Sequence, residues 1–180
     1  MRDQLLDAVE RLLVRGGVDA VRLDAVAAEA GVSKGGLLHH FPSKRALVEG
    51  VVARLADRFE AVLPGPGSEP GAFALAWLDA TIPPESPAGD TSGVDQVPVA
   101  LLAAAGGPEV LDGLRERYAR WQRRLEEDGL SPATATLVRM AVDGWWSARL
   151  LDLSPPHDGL HRELRALIVE LVNRDRALQA

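Results

Sequence analysis

Residues 23–44 read LDAVAAEAGVSKGGLLHHFPSK, and they say more about the architecture than any other part of the sequence. Gly31 can adopt the left-handed backbone conformation that ends one helix, and Ser33 can cap the helix that follows. The pattern predicts two short helices joined by about three residues, which is the helix-turn-helix arrangement. The second of these helices is expected over about residues 34–40.

The predicted second helix has features that suit close approach to the major groove of DNA. Gly35 and Gly36 are poor helix formers, each costing about 1 kcal/mol relative to alanine. Because they lack side chains, the backbone could come close to a phosphate or a base edge. Leu37 and Phe41, four residues apart, would hold the helix inward and leave Lys34 facing outward.

Apolar residues keep a helical spacing along the rest of the chain, and strand-like alternation is nearly absent, so the fold is predicted to be all-α with about nine helices. The first ends near residue 16, the second at Gly31, and the fourth begins after Ser43, its expected cap. The other predicted helices lie at about 34–40, 71–81, 97–105, 108–128, 131–153 and from 158 onward.

A proline- and glycine-rich run at 64–70 predicts a boundary between two parts of the protein. We expect a helix-turn-helix domain at 1–45, a connecting helix at 46–63 and a second helical domain at 71–180. Another proline-rich stretch, at 82–93, is expected to be a loop between two helices.

The charge distribution favours a nucleic-acid contact near the predicted helix-turn-helix. The net charge of −6 argues against a general affinity for nucleic acid. Residues 31–58, however, contain five Lys or Arg and two Asp or Glu side chains, and both lysines of the chain lie there. A chance cluster on a solvated surface is the alternative interpretation.

Composition excludes several classes of protein. The chain has no cysteine, so disulfide frameworks, zinc fingers and thiol chemistry are excluded. No apolar run approaches the roughly 20 residues that span a bilayer, and no membrane association is expected. Asp3, Asp7 and Glu10 occupy the place of a signal peptide's basic patch, so a cytoplasmic protein is expected.

The segment at 23–44 resembles the DNA-binding domain of the TetR family of bacterial transcriptional regulators. The residues that carry the resemblance are Val26-Ala27, Ala30–Ser33, Gly35–Phe41 and Lys44. The resemblance is specific over residues 1–60 and rests beyond them on a similar all-helical plan. It implies a homodimer whose N-terminal helix-turn-helix binds double-stranded operator DNA and whose C-terminal domain binds a small-molecule effector and dimerises.

The resemblance also implies which residues contact DNA. Ser33, Lys34, Gly35 and Gly36 would lie at or near base edges. His39, His40 and Lys44 would hold phosphates.

Two positions depart from the family pattern, and both are still expected to contact DNA. Leu38 replaces an aromatic residue, commonly a phosphate-binding tyrosine, and could touch a thymine methyl group instead. Arg22 replaces the usual Ser or Thr cap of the second helix and could reach a phosphate. Asp24 then becomes the candidate cap.

All four tryptophans follow the proline-rich boundary, and with Tyr118 they could surround one interior. Buried indoles with unpaired N–H groups suit an apolar cavity for a small molecule, although they could equally fill a core. The residues predicted to contact a largely apolar effector are Trp77, Leu101, Leu102, Leu114, Tyr118, Trp121, Met140, Asp143 and Trp146.

The predicted helix at 131–153 is apolar around most of its circumference, so burial on several sides is expected. Arg139, Asp143 and Ser147 form a narrow polar stripe on it. An ion pair between Arg139 and Asp143 is the simplest interpretation. A polar contact to the effector, or a symmetric pair across a dimer interface, are the alternatives.

TetR-like proteins form a four-helix dimer bundle from the last two long helices of each subunit, and the terminal helix here has a suitable apolar stripe. The same stripe could instead pack on its own subunit. The residues predicted to dimerise are Trp145, Arg149, Leu160, Leu164, Leu167, Ile168 and Leu171.

Two rival functions are less well supported by the sequence. No catalytic triad, nucleotide loop or metal-ligand cluster stands out, and the adjacent His39 and His40 would point about 100° apart on a helix. We therefore expect no enzyme activity, metal or cofactor. The second rival is a helical interaction protein that kept a TetR-like fold and lost operator binding. The prediction is a DNA-binding regulator, a repressor released from a pseudo-palindromic operator by an effector.

Overall fold

The computed structural model describes residues 1–84 and 106–179, and over these ranges it contains helices and no strand. The helices are α1 (Arg2–Gly16), a 3-10 turn (Val18–Ala20), α2 (Leu23–Glu29), α3 (Lys34–His40), α4 (Lys44–Ala61), α5 (Ala72–Thr81), α6 (Pro108–Glu126), α7 (Pro132–Leu150) and α8 (Asp158–Gln179). The all-α prediction is confirmed. None of the helices in these ranges is both long and apolar enough to cross a membrane. The helix predicted at 97–105 lies outside the described residues.

The described residues divide into two compact units. The first contains 1–57 and 106–117, and the second contains 58–84 and 118–179. The boundary between the units falls inside α4 and α6 rather than in a loop.

One apolar core holds the helix-turn-helix of the first unit together. In this unit α1 packs on α2, and α2 packs on α3. Burying one large aliphatic side chain contributes about 1.5–3 kcal/mol, so this core outweighs the poor helix propensity of α3. Side chains with no exposed surface come from all four helices, among them Leu5, Val9, Val26, Leu37, Leu47 and Val51.

The turn chemistry predicted around α3 is confirmed. Gly31 has a φ of +68°, so the chain turns there in the left-handed region. The Ser33 hydroxyl accepts a hydrogen bond from the Gly36 amide at 3.0 Å. The Ser43 hydroxyl accepts a hydrogen bond from the Ala46 amide at 3.1 Å and so caps the start of α4. Local chemistry therefore fixes the start of α3 and the start of α4.

The predicted capping role of Asp24 is wrong. Arg22 is the residue before α2, and its side chain makes no capping hydrogen bond. Asp24 lies inside the first turn, where helical backbone angles do not allow the extended geometry of a cap. Its carboxylate instead pairs with the ammonium of Lys34, with 2.9 Å between Oδ1 and Nζ.

Arg54 links α4 to α1. Its guanidinium lies 2.7 Å from the Asp7 carboxylate and 2.5 Å from that of Glu10. It also donates to the backbone carbonyl of Asp3 at 3.2 Å. Only 14% of the Arg54 side chain and 20% of that of Glu10 are exposed, so the charge-assisted bonds between these two residues are partly protected from water.

In the second unit, α5 packs on α7 and α8, and its first turn is capped by a residue distant in sequence. The two carboxylate oxygens of Asp128 accept hydrogen bonds from the Phe73 and Ala74 amides at 3.0 and 2.9 Å. The Asp128 carbonyl accepts another from the Gly71 amide at 2.7 Å. Asp128 therefore supplies the cap that Gly71, without a side chain, cannot supply.

The helix α7 is shorter and less buried than its sequence predicts. It ends at Leu150 instead of near residue 153. On α7 the side chains of Leu137 and Met140 are more than half exposed. On α8 those of Leu160 and Leu167 are also more than half exposed, so both helices have an uncovered apolar face. The prediction of burial on several sides is wrong for the single chain, because the described residues include no element that covers these faces.

The first unit offers a test of packing beneath α3. A Cβ atom added at Gly50 of α4 would lie 2.7 Å from Cε1 of the buried Phe41. Gly50→Ala is therefore expected to lower the free energy of unfolding by about 1–3 kcal/mol through overpacking. Urea unfolding followed by circular dichroism measures the change.

Gly113→Ala is the matched control, because a Cβ atom at this helical position meets no atom within 4 Å. It is expected to raise the free energy of unfolding by about 0.5–1 kcal/mol, the usual gain of alanine over glycine in a helix. Equal effects of the two substitutions would show that Gly50 is not a site of close packing.

Candidate nucleic-acid interface and aromatic cluster

The helix α3 presents one face to solvent and buries the other. Leu37 and Phe41 are almost completely buried and fix the helix against the first unit. Lys34, Gly35 and His39 are exposed on it. This is the geometry a recognition helix needs, with a firm base and an accessible outer face.

The other predicted DNA-contacting residues flank or complete this surface. Arg22, Ser33 and Lys44 are exposed or partly exposed, and the half-buried members are Gly36, Leu38 and His40. The ion pair between Asp24 and Lys34 connects the first turn of α2 to the first residue of α3 on the surface. The His39 and His40 rings meet edge to face with centroids 5.2 Å apart.

Arg45 is a cation that the sequence analysis did not single out. It is exposed beside Lys44 at the start of α4, and it lies 3.8 Å from Glu49 and 3.5 Å from Glu109. Its position directly after Lys44, a predicted phosphate contact, is the feature of the sequence that could have identified Arg45. The partner Glu109, on α6, could not be known from local sequence.

An aromatic cluster forms the interior of the second unit. The Trp77 ring on α5 meets those of Phe59, Tyr118 and Trp121 edge to face, with centroids 4.7, 6.0 and 5.5 Å apart. Three predicted effector residues are thus brought together. Phe59, on α4, is a member that the sequence analysis did not place among the effector residues. We use "aromatic cluster" for these four residues.

Asp143 supplies the negative charge next to the aromatic cluster. Its carboxylate accepts hydrogen bonds from Trp77 Nε1 and from Arg139 Nη1, each at 3.0 Å. The predicted ion pair between Arg139 and Asp143 is therefore confirmed. Burial raises the pKa of Asp143, and the bonds from Trp77 and Arg139 partly oppose that rise. Burial, aided by the charge of Asp143, also raises the pKa of Tyr118, which keeps its phenol neutral.

Two buried indole groups keep an unused donor. In the described part of the chain, Nε1 of Trp121 and Nε1 of Trp145 have no hydrogen-bond partner. Trp145 lies beside the His161 ring, with centroids 5.0 Å apart. An unsatisfied buried donor costs about 1–3 kcal/mol, so an acceptor brought to either indole would gain binding free energy.

Three other predicted effector residues, Leu114, Met140 and Trp146, do not belong to the aromatic cluster. Met140 is exposed and Trp146 is half-buried on α7, while Leu114 is buried in the first unit. Leu101 and Leu102 lie outside the described residues.

The predicted dimerisation residues differ in burial. Leu160 and Leu167 are exposed on α8, and Trp145 is buried on α7. The half-buried members are Arg149, Leu164, Ile168 and Leu171.

An exposed recognition helix in one unit and a helical second unit with an aromatic interior define the class of helix-turn-helix regulators with a helical C-terminal domain. Comparison with known families gives the same result. Residues 71–173 match the family described as "Tetracyclin repressor-like, C-terminal domain", and residues 5–51 match "Bacterial regulatory proteins, tetR family". The chain belongs to the TetR family of bacterial regulatory proteins.

Two curated relatives match about a third of this chain. The HTH-type transcriptional regulator AlkX of Mycobacterium tuberculosis is 40% identical over 58 residues, 32% of this chain and 28% of that protein. The HTH-type transcriptional repressor KstR of Rhodococcus jostii is 41% identical over 59 residues, 33% of this chain and 28% of that protein. The chain thus covers less than a third of either relative. Both relatives are named as transcriptional regulators.

Solved structures share the fold over almost the whole chain. A transcriptional regulator from Rhodococcus sp. Rha1 has a TM-score of 0.76 at 21% identity and covers 97% of both chains. The multidrug binding protein EbrR, complexed with malachite green, has a TM-score of 0.65 at 22% identity. That match covers 95% of this chain and 97% of EbrR.

The pair beside the aromatic cluster allows a test of buried charge. Breaking a fully buried pair costs about 3–5 kcal/mol. Because 20% of the Arg139 side chain and 27% of that of Asp143 remain exposed, we expect Arg139→Met to cost about 1–2 kcal/mol near neutral pH.

This loss should depend on pH in a defined direction. A raised pKa in the folded state means that ionisation of Asp143 opposes folding, so stability falls as pH rises through that pKa. The effect of Arg139→Met should therefore be larger at about pH 7.5 than at about pH 4.5 in urea unfolding. The double variant Arg139→Met/Asp143→Asn should recover most of the loss. A pH-independent loss that the double variant does not repair would contradict this account.

Proposed function

We propose that the protein is a dimeric TetR-type transcriptional regulator that represses from a pseudo-palindromic operator and is released by a small-molecule effector. The observation that carries the proposal is α3, whose inner face is buried and whose outer face is open. We propose further that it acts in the cytoplasm and catalyses no reaction, as expected for a regulator of this type.

The chemistry of the helix-turn-helix surface supports DNA binding. Lys34 at the start of α3 is suited to a base edge. Its ammonium can donate hydrogen bonds to the acceptor atoms that guanine presents in the major groove. Lys44, exposed at the first residue of α4, is suited to a phosphate. Arg45, beside Lys44, extends the basic surface.

The exposed apolar faces of α7 and α8 support dimerisation. Leu137, Met140, Leu160 and Leu167 would be covered by the same faces of a second copy, which is an isologous contact. A dimer would place two copies of α3 about 34–36 Å apart, one turn of DNA, as a pseudo-palindrome requires.

The aromatic cluster supports binding of a largely apolar effector. Trp121 offers an unused donor, so an effector with a hydrogen-bond acceptor fits best. The EbrR complex with malachite green shows that a protein of this fold binds an aromatic ligand. Effector binding would favour a conformation in which α4 moves and the spacing of the two α3 helices no longer matches DNA. The difference in effector affinity between the two conformations supplies the coupling.

The first test measures the phosphate contact by salt dependence. Fluorescence anisotropy would follow binding to labelled fragments from the region upstream of the protein's own coding sequence. Lys44→Ala should weaken binding to every fragment and make the slope of log K against log[salt] shallower by about 0.9 per subunit. Arg120→Ala, which removes an exposed cation from α6, is the control and should leave the slope unchanged.

If Lys44→Ala leaves the slope of log K against log[salt] unchanged, Lys44 does not contact a phosphate. If the unaltered protein ignores every fragment at low ionic strength, the alternative gains support. That alternative is a helical interaction protein that kept the TetR-like fold without operator binding.

The second test concerns the dimer. Leu167→Glu places a charge on the exposed face of α8 and should convert the dimer to monomer, as measured by light scattering after gel filtration. Val14→Glu on α1 is the matched control, because the two residues are 59% and 58% exposed. If Leu167→Glu remains a dimer and Val14→Glu becomes a monomer, the interface does not lie on α8.

A further inference from the structure

The cation at the start of the recognition helix already has a partner within the protein. The Lys34 ammonium lies 2.9 Å from the Asp24 carboxylate. Both side chains are on the surface, with 55% of Lys34 and 76% of Asp24 exposed. The pair connects the first turn of α2 to the first residue of α3, within the helix-turn-helix.

A structural role explains this pair poorly. An exposed ion pair in water contributes little to folding stability, because solvent and salt screen it. Asp24 does not cap α2, and the burial of Leu37 and Phe41 already fixes α3. The position of the pair on the outer surface of the helix-turn-helix points to a role in binding.

DNA offers Lys34 the same kind of partner that Asp24 provides. Phosphate oxygens and base-edge acceptors both require the ammonium, and the Asp24 carboxylate would then lose its cation close to the negatively charged duplex. Binding must therefore replace one charge-assisted contact by another. The favourable free energy of the Lys34 contact is reduced by the cost of that exchange.

We propose that Asp24 is an affinity-determining residue that competes with DNA for Lys34. The inference rests on the proposed DNA-binding function and deepens it. In the free protein Asp24 holds Lys34, and every DNA duplex that takes Lys34 must displace it. On an operator a base edge would take Lys34, and on an unrelated duplex a phosphate would take it. The same pair is then broken on both, so Asp24 lowers affinity for operator and unrelated DNA by the same factor. Asp24 therefore sets how tightly the protein binds and does not itself select the sequence.

A double-mutant cycle tests the competition. The four proteins are the unaltered chain, Asp24→Asn, Lys34→Met and the double variant, each assayed as the full chain by anisotropy on an operator fragment and on an unrelated duplex. Asp24→Asn should tighten binding to both duplexes by about two- to fivefold, the range of an exposed pair. In the Lys34→Met background the same substitution should change binding much less, because no ammonium remains to be released.

Salt dependence gives an independent readout. Screening weakens the internal pair as ionic strength rises. The affinity ratio between Asp24→Asn and the unaltered chain should therefore fall toward one at high salt. Asp19→Asn is the matched control: it removes the same charge from another exposed aspartate of the first unit and should show no coupling to Lys34.

The outcomes separate this inference from the proposed function. If the unaltered chain binds no DNA, the proposed function fails. If it binds, and Asp24→Asn weakens binding, then Asp24 orients Lys34 instead of competing for it, and the inference is overturned. A gain from Asp24→Asn that is equal with and without the Lys34→Met substitution would show general electrostatics and also overturn it. Thermal unfolding of each variant verifies that the fold is retained.

Discussion

The close contact between Phe41 and α4 at Gly50 determines where the recognition helix lies. A helix of seven residues is too short to be stable alone, so α3 depends on what holds it. Leu37 and Phe41 anchor its inner face, Ser33 caps its start, and Phe41 follows its last residue. Without a side chain at residue 50, α4 can approach the Phe41 ring. The outer face of α3 can therefore carry glycines, which disfavour the helix and which we propose allow close approach to DNA.

The second unit combines apolar burial with a few polar groups that depend on one another. Asp143 is kept near the aromatic cluster by two donors, Trp77 on α5 and Arg139 on its own helix α7. Removing either donor would leave a carboxylate poorly solvated. An interior of this kind distinguishes ligands by their polar groups more sharply than an apolar core would, because each donor and acceptor must find a partner.

What could be predicted from the sequence was governed by local chemistry. Gly31, Ser33 and Ser43 act on backbone within three residues, so the start of α3 and the start of α4 follow from the sequence alone. The partner of Asp24 lies on another helix, and the propensity of aspartate for helix starts led to the wrong role. Phe59 joins residues 18 or more positions away, which no periodicity reveals. The exposed leucines of α7 and α8 resemble core residues in sequence, as they would in the proposed dimer, because an interface between copies has a composition close to that of a core.

The cap that Asp128 provides for α5 has a consequence for biosynthesis. The amides of Phe73 and Ala74 reach their acceptor only after a further 55 or 54 residues have been added to the chain. While the nascent chain is still on the ribosome, the first turn of α5 therefore lacks its acceptor, whereas the helix-turn-helix contains its own caps. The N-terminal helices can consolidate early, and the second unit can close only after the corner between α6 and α7 has left the exit tunnel.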